Sequence, residues 1–128
     1  MTGIPDGTAR DERGSVSIVT AGVAVVALVL CMGAADVARV LVASGRAQAA
    51  ADAAALAAAQ DMATAGQDPM GAAADYAARN EATMTDCRCD PGSLEATVTV
   101  RVAVGPLLLF SDGLVVTGSA RAVVDGAG

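Results

Sequence analysis

The feature that most constrains this chain is an uninterrupted apolar stretch near its N-terminus. The 22 residues from Gly14 to Ala35 carry no charge and lie between Arg13 and Asp36. As an α-helix with a rise of about 1.5 Å per residue, the stretch spans roughly 33 Å, and the hydrocarbon layer of a bilayer is about 30 Å thick. The sequence therefore predicts one membrane-spanning helix over 14–35.

The remainder of the chain has room for one small domain only. Residues 1–13 are polar and rich in Gly, Pro, Asp and Arg, and we expect them to be a disordered leader. Hydrophobic residues make up 54% of the chain, but there is one Tyr, one Phe and no Trp. Much of the apolar content is alanine, which buries little area per residue, so a large self-sufficient core is not expected.

Charge and residue types exclude several classes of function. The net charge is −6, and the eight basic residues are all arginines scattered along the chain, so nucleic acid is not an expected partner. The chain has no histidine and no lysine, no phosphate-binding glycine loop and no nucleophile beside a base. We therefore predict no enzyme activity, no cofactor and no metal site.

The membrane helix is predicted to continue without a break as an Ala-rich extension over 36–65. Asp36 and Arg39 lie where the helix leaves the membrane, either as the usual charged flank or as a recognition pair for an assembly platform. From residue 47 to 63, Gln48, Asp52 and Gln60 fall on one face with Leu56, and the remaining circumference is almost entirely alanine. We expect this alanine surface, with Ala50 and Ala54, to pack closely against another subunit; the alternative is an exposed helix stabilised by alanine propensity.

The region 66–128 is predicted to be a small extracytoplasmic α+β unit. Asp68 and Pro69 indicate the start of a second helix that runs to about Ala82. Alternation from Leu94 to Val104 predicts a strand that buries its even-numbered residues, and Leu114 to Val124 is expected to pair with it as a hairpin. The apolar run over 105–110 either closes the core of this hairpin or contacts a membrane or a partner.

Three motifs lie in the N-terminal half: the Arg-Gly before the apolar segment, Asp-x-x-Arg at Asp36 and Arg39, and Asp-Ala-Ala-Ala-Leu-Ala-Ala-Ala beginning at Asp52. They resemble the N-terminal module of the TadE/TadG-like proteins of Tad (Flp) pilus systems. The small region that follows, with a Cys pair, a hairpin and Ser-Ala-Arg-Ala at 119–122, is similar to short actinobacterial members. The resemblance implies a pilin-like accessory component of a pilus or secretion apparatus. It also implies a single-pass protein of the cytoplasmic membrane, with the N-terminus inside and the C-terminal region outside.

The resemblance implies partners as well. These are other Tad-type pilin-like or assembly-platform proteins, and a prepilin peptidase that would cut between Gly14 and Ser15. Prepilin-type sequences carry a glutamate at the fifth position after the cut, where this chain has Val19. That departure favours an accessory component over a major fibre-forming pilin.

Two questions stay open from the sequence. Small residues at Gly33 and Ala35 also fit a signal peptidase site, and a cut after Ala35 would release a small secreted protein. Cys87 and Cys89 form a Cys-x-Cys in the region expected outside the membrane. An intramolecular disulfide, a bond to another chain and a free pair are all open, whereas zinc is poorly supported without histidine.

Overall fold

One long helix packs against the second helix and against two of the three strands. The computed structural model describes residues 4–110 and 113–125, with side chains described from Gly14 onward. The elements are α1 (Ile4–Ala63), α2 (Pro69–Arg79), β1 (Thr83–Asp90), β2 (Glu95–Ala103) and β3 (Val115–Val123). The strands form an antiparallel sheet in the order β1-β2-β3. This confirms the predicted α+β class, with a long N-terminal helix and a short second helix, and the predicted C-terminal hairpin is part of a three-stranded sheet.

The helix α1 begins earlier than its composition indicated. We expected a disordered leader over 1–13, but the structure continues the helix back to Ile4, and residues 1–3 lie outside the described part of the chain. Pro5 does not oppose this start, because it stands in the first turn, where a backbone N–H has no partner inside the helix.

The junction between the helices follows local backbone chemistry. After Ala63, Ala65 adopts a left-handed φ of 58°, and the amide of Gly66 donates to the carbonyl of Asp61 at 2.7 Å. Asp68 then accepts from the amide of Gly71 at 2.9 Å, with proline in the first turn, which confirms the predicted start of α2. The helix ends at Arg79, three residues before the predicted end.

The sheet contains one strand that the sequence pattern did not reveal. The predicted pair is confirmed as β2 and β3, and β1 pairs with the other edge of β2. In β1 the register shifts between Met84 and Asp86, which leaves Thr85 as an extra residue. Because of this bulge, Met84 and then Cys87 and Cys89 lie on the core side, so the apolar alternation changes phase and no single period marks the strand.

The core lies between α1, α2 and the inner face of the sheet, and it is built from small side chains. The predicted burial of the even-numbered positions in β2 is confirmed, since Val98 and Val100 are completely buried. Gly118 of β3 lies so close to α1 that a Cβ atom there would come within 2.4 Å of the Ala47 carbonyl. Because the facing side chains are small, the backbone of β3 and the backbone of α1 lie almost in contact here. From Gly14 onward, the buried apolar residues of α1 are Ala43, Ala47, Ala50, Ala51, Ala54, Ala55, Ala57, Ala58, Ala59 and Met62.

This packing corrects the expectation for the alanine surface. Ala50 and Ala54 have no exposed area, because the chain's own sheet and second helix lie around this part of α1. The surface is thus a close-packing surface, as its small residues indicated, but it is occupied within the chain and is not free to receive another subunit. The exposed stripe is the predicted polar one, with Gln48, Asp52, Leu56 and Gln60.

We predict that Gly118→Ala destabilises the sheet by about 1–3 kcal/mol, because its methyl group would force β3 away from α1. The matched control is Gly45→Ala, where an added Cβ meets nothing within 4 Å and helix propensity favours alanine by up to about 1 kcal/mol. Hydrogen exchange of the β2 amides in the full chain measures both effects. Equal protection in the two variants would contradict the close approach of β3 to α1.

Candidate functional site

Residues 14–35 of α1 form an apolar rod, and among the described residues no other segment packs against it as far as Leu30. From Gly14 to Leu30 every residue is exposed, including Val16, Val23, Leu28 and Leu30. In the described part of the chain, one helix is long and apolar enough to cross a membrane, and it is this one. Side chains of this kind are stable in contact with lipid or with other apolar helices.

The apolar rod ends at a carboxylate that is buried under a loop. We call residues 105–110, which follow β2, the collar loop. Asp36 of α1 has no exposed area, and its two oxygens accept from the backbone amides of Leu108 and Leu109, each at 2.7 Å. Because the collar loop has left the sheet, these amides lack strand partners, and Asp36 satisfies both of them.

A second contact holds the start of the collar loop from the same face of α1, three residues further along the helix. Arg39 donates from its guanidinium to the carbonyl oxygen of Pro106. At the far end of the loop, the Leu109 side chain reaches Gly33, where a Cβ atom would stand 3.5 Å from Leu109 Cδ1. Asp36 and Arg39 therefore form an intramolecular clasp that holds the collar loop against the end of the apolar rod.

The electrostatics of this clasp favour the charged carboxylate. Burial by itself raises the pKa of Asp36, but the amides of Leu108 and Leu109 and the charge of Arg39 lower it by more. The net result is a pKa below the ordinary value of an aspartate. Asp36 is therefore ionised at neutral pH, in the state that accepts both hydrogen bonds.

Different residues of the collar loop fit the two alternatives for the apolar run at 105–110. Leu107 is half-buried and packs against the core, as one alternative held. Leu108, Leu109 and Phe110 remain 49%, 44% and 58% exposed. Sequence reasoning found Asp36, Arg39 and this run separately, but it did not connect them, because no local signal joins residues some 70 positions apart.

The cysteine pair lies on the core side of β1, away from the collar loop. The structure brings the sulfur atoms of Cys87 and Cys89 within bonding distance, with 5.5 Å between their Cα atoms. Cys31 is exposed on the apolar rod and is not paired. Within residues 14–110 and 113–125, no group of three or more His, Cys, Asp or Glu side chains is arranged to hold a metal ion.

The residues expected at a processing site lie on the continuous helix α1. Gly14 and Ser15 are exposed, and nothing lies within 4 Å of a Cβ atom at Gly14. Val19, at the position of the prepilin glutamate, is 62% exposed. These positions are accessible in the isolated chain, and none of them contributes to the packing of the sheet on α1.

We predict that Asp36→Asn releases the collar loop, because the amide retains one acceptor and places an N–H₂ donor against the second backbone amide. The protection factors of the Leu108 and Leu109 amides against hydrogen exchange should fall by about tenfold or more. The control is Asp52→Asn on the exposed face of α1. Unchanged protection in Asp36→Asn would contradict the clasp.

The same protection should depend on pH in a defined direction. Since the pKa of Asp36 is lowered by folding, its contribution is fully present above the unfolded value of about 3.9 and is lost as the pH falls below it through the folded pKa. Protection factors of Leu108 and Leu109 measured from neutral pH downward should decline only in this acidic range. A decline that begins near neutrality would indicate another titrating group.

Comparison with known proteins gives a family match to most of the helix α1. No curated protein and no solved structure matches the chain. The matched segment, residues 14–61, includes the apolar rod, the clasp residues and most of the alanine surface, whereas α2 and the sheet lie outside it. Residues 14–61 match the Tad family, the TadE/G-like proteins of Flp pilus assembly, and this confirms the resemblance read from the sequence.

Proposed function

We propose that this chain is a non-enzymatic, pilin-like accessory component of a Tad (Flp) pilus or secretion apparatus, anchored in the cytoplasmic membrane by α1. The observation that carries the proposal is that the segment matching the pilus-assembly family is one uninterrupted helix with an exposed apolar half. A pilus component needs such a helix to remain in the membrane before assembly. The second half of the same helix packs against α2 and the sheet, and we call this small α+β unit, residues 36–125, the head.

The exposed surfaces support the kind of partner that we propose. Between Gly14 and Leu30 the helix offers valine and leucine side chains over its whole circumference, which suits lipid and the apolar helices of other pilus subunits equally. The alanine surface is unavailable for this purpose, because Ala50 and Ala54 are buried in the chain. Partner contacts should therefore involve the apolar rod and not the alanine surface.

The contact between Leu109 and Gly33 supports retention of the membrane helix over release of a secreted protein. A signal peptidase cut after Ala35 would remove Gly33 and leave Asp36 as a free N-terminal residue. The collar loop would then lose the helical turn on which Leu109 lies. A secreted product would also expose to water the part of Leu109 that lies against Gly33, at a cost in apolar burial.

We expect the protein isolated from its native host to be in the membrane fraction with its N-terminus at Met1 or, after a prepilin peptidase cut, at Ser15. Intact mass and N-terminal sequencing distinguish these forms. A terminus at Asp36 in the culture medium would contradict the proposal in favour of a secreted protein.

A matched pair of variants checks the proposed cut. Gly14→Leu should prevent removal of residues 1–14 if a prepilin peptidase acts there, whereas Gly22→Leu should leave the processing unchanged. Both glycines lie on the exposed face of α1 with nothing within 4 Å, so neither substitution disturbs packing within the chain. Loss of processing in both variants would indicate a general insertion defect and not a specific cut.

We further propose that Cys87 and Cys89 are oxidised to a disulfide on the extracytoplasmic side, whereas Cys31 stays reduced in the membrane. Disulfides persist in oxidising compartments, so this state reports the orientation of the head. Alkylation of the denatured, unreduced protein should modify one cysteine, and alkylation after reduction should modify three. Three modified cysteines before reduction would contradict the orientation with the head outside.

A further inference from the structure

We propose that the collar loop is a second membrane contact, with Leu109 and Phe110 lying in the outer interfacial layer of the bilayer beside the end of α1's membrane-spanning segment. The inference rests on the proposed anchoring by α1. It adds that the head does not project freely from the membrane but touches the lipid surface through one defined loop.

The level of the collar loop along α1 supports this position. Asp36 holds the loop at the first charged residue beyond the apolar rod, and Leu109 reaches back to Gly33. Three residues of helix correspond to about 4.5 Å, so Leu109 overlaps the last turn of the predicted span 14–35. A helix that crosses the bilayer over this span therefore brings Leu109 to the boundary of the hydrocarbon layer.

Exposed apolar side chains lie on both sides of this boundary. Leu109 and Phe110 stand beside the rod with about half of their surface uncovered, and Phe110 is one of only two aromatic residues in the chain. Just beyond Asp36, Val37 and Leu41 of α1 are 55% and 67% exposed. In water this patch would be unfavourable on a small domain, whereas the interfacial layer of a bilayer accommodates it.

The charges at this level fit a lipid surface as well. Asp36 is the only acidic residue between Gly14 and Ala51, and the collar loop covers it completely. A bare carboxylate at the edge of the hydrocarbon would be costly, and the amides of the loop remove that cost by binding it. Arg39 remains exposed at the headgroup level, where its guanidinium is compatible with lipid phosphate.

The absence of tryptophan from the chain allows a direct test with single-tryptophan variants of the full-length protein. The variants are Phe110→Trp in the collar loop, Leu28→Trp in the apolar rod, and Tyr76→Trp on α2 as the control distant from the membrane. Each is reconstituted at a low protein-to-lipid ratio in vesicles of phosphatidylcholine and phosphatidylglycerol. A part of the phosphatidylcholine carries bromine on its acyl chains, either near the headgroup or near the terminal methyl.

We expect bromolipid to quench Leu28→Trp and Phe110→Trp but not Tyr76→Trp. Quenching of Phe110→Trp should be stronger with bromine near the headgroup than near the terminal methyl, because the loop lies in the interface. Adding Arg39→Gln or Asp36→Asn should reduce quenching of Phe110→Trp by about twofold or more, since each removes a hydrogen bond of the clasp, and leave Leu28→Trp unchanged. Arg39 is exposed, so its variant is informative even if Asp36→Asn fails to fold.

The outcomes separate this inference from the proposed function. Quenching of Leu28→Trp without quenching of Phe110→Trp would overturn the membrane contact of the collar loop and leave the anchoring intact. Absence of quenching in both would overturn the anchoring itself. A blue-shifted Phe110→Trp emission that bromolipid does not quench would mean that protein, such as a second copy of the chain, covers the loop, and this would also overturn the lipid contact.

Discussion

The close approach of β3 to α1 is the constraint on which the rest of the head depends. At Gly118 the strand backbone comes so near the backbone of Ala47 that no side chain fits between them. Each buried alanine removes little area from water, so a core of this composition gains its stability from many short contacts across a thin interface. The close approach of β3 to α1 therefore requires both the alanines of α1 and the small residues of the sheet.

The clasp at Asp36 adds a second attachment at another height on the same helix. Asp36 and Ala47 are eleven residues apart, which corresponds to about 16 Å along α1. One contact joins the helix to the middle of β3, and the other joins it to the collar loop through paired hydrogen bonds. Together they prevent the sheet from pivoting about either point, so the orientation of the head relative to the apolar rod is defined by the chain itself.

This arrangement relates the family match to the three-dimensional structure. The Asp-x-x-Arg motif is one of those on which the resemblance rests. Its sequence position indicated a charged flank or a recognition pair, and in the structure both residues bind the collar loop. The matched segment 14–61 supplies the helix side of both attachments, whereas the residues that receive them lie outside the match. The helix of the matched segment is thus a scaffold with two attachment positions for the head.

Local patterns predicted those parts of the fold whose signals are local. The cap at Asp68, the buried face of β2 and the pairing of β2 with β3 follow from a capping side chain, a period of two and a turn. The strand β1 was not predicted, because the bulge at Thr85 changes the phase of its apolar residues. The helical start at Ile4 was also not predicted, because polar composition outweighed the neutral effect of a proline in a first turn.

Three features follow from the amino-acid sequence alone. The chain contains a helix that is longer than the thickness of a bilayer, the second half of this helix has a surface of small residues, and a β-hairpin follows it. Only the tertiary structure decided what covers that surface and where the collar loop lies. An alanine surface accepts its own sheet or another helix with similar geometry, and Asp36 accepts any pair of free amides. The choice falls to the chain's own elements because they are covalently attached, and sequence periodicity contains no information about contacts between residues some 70 positions apart.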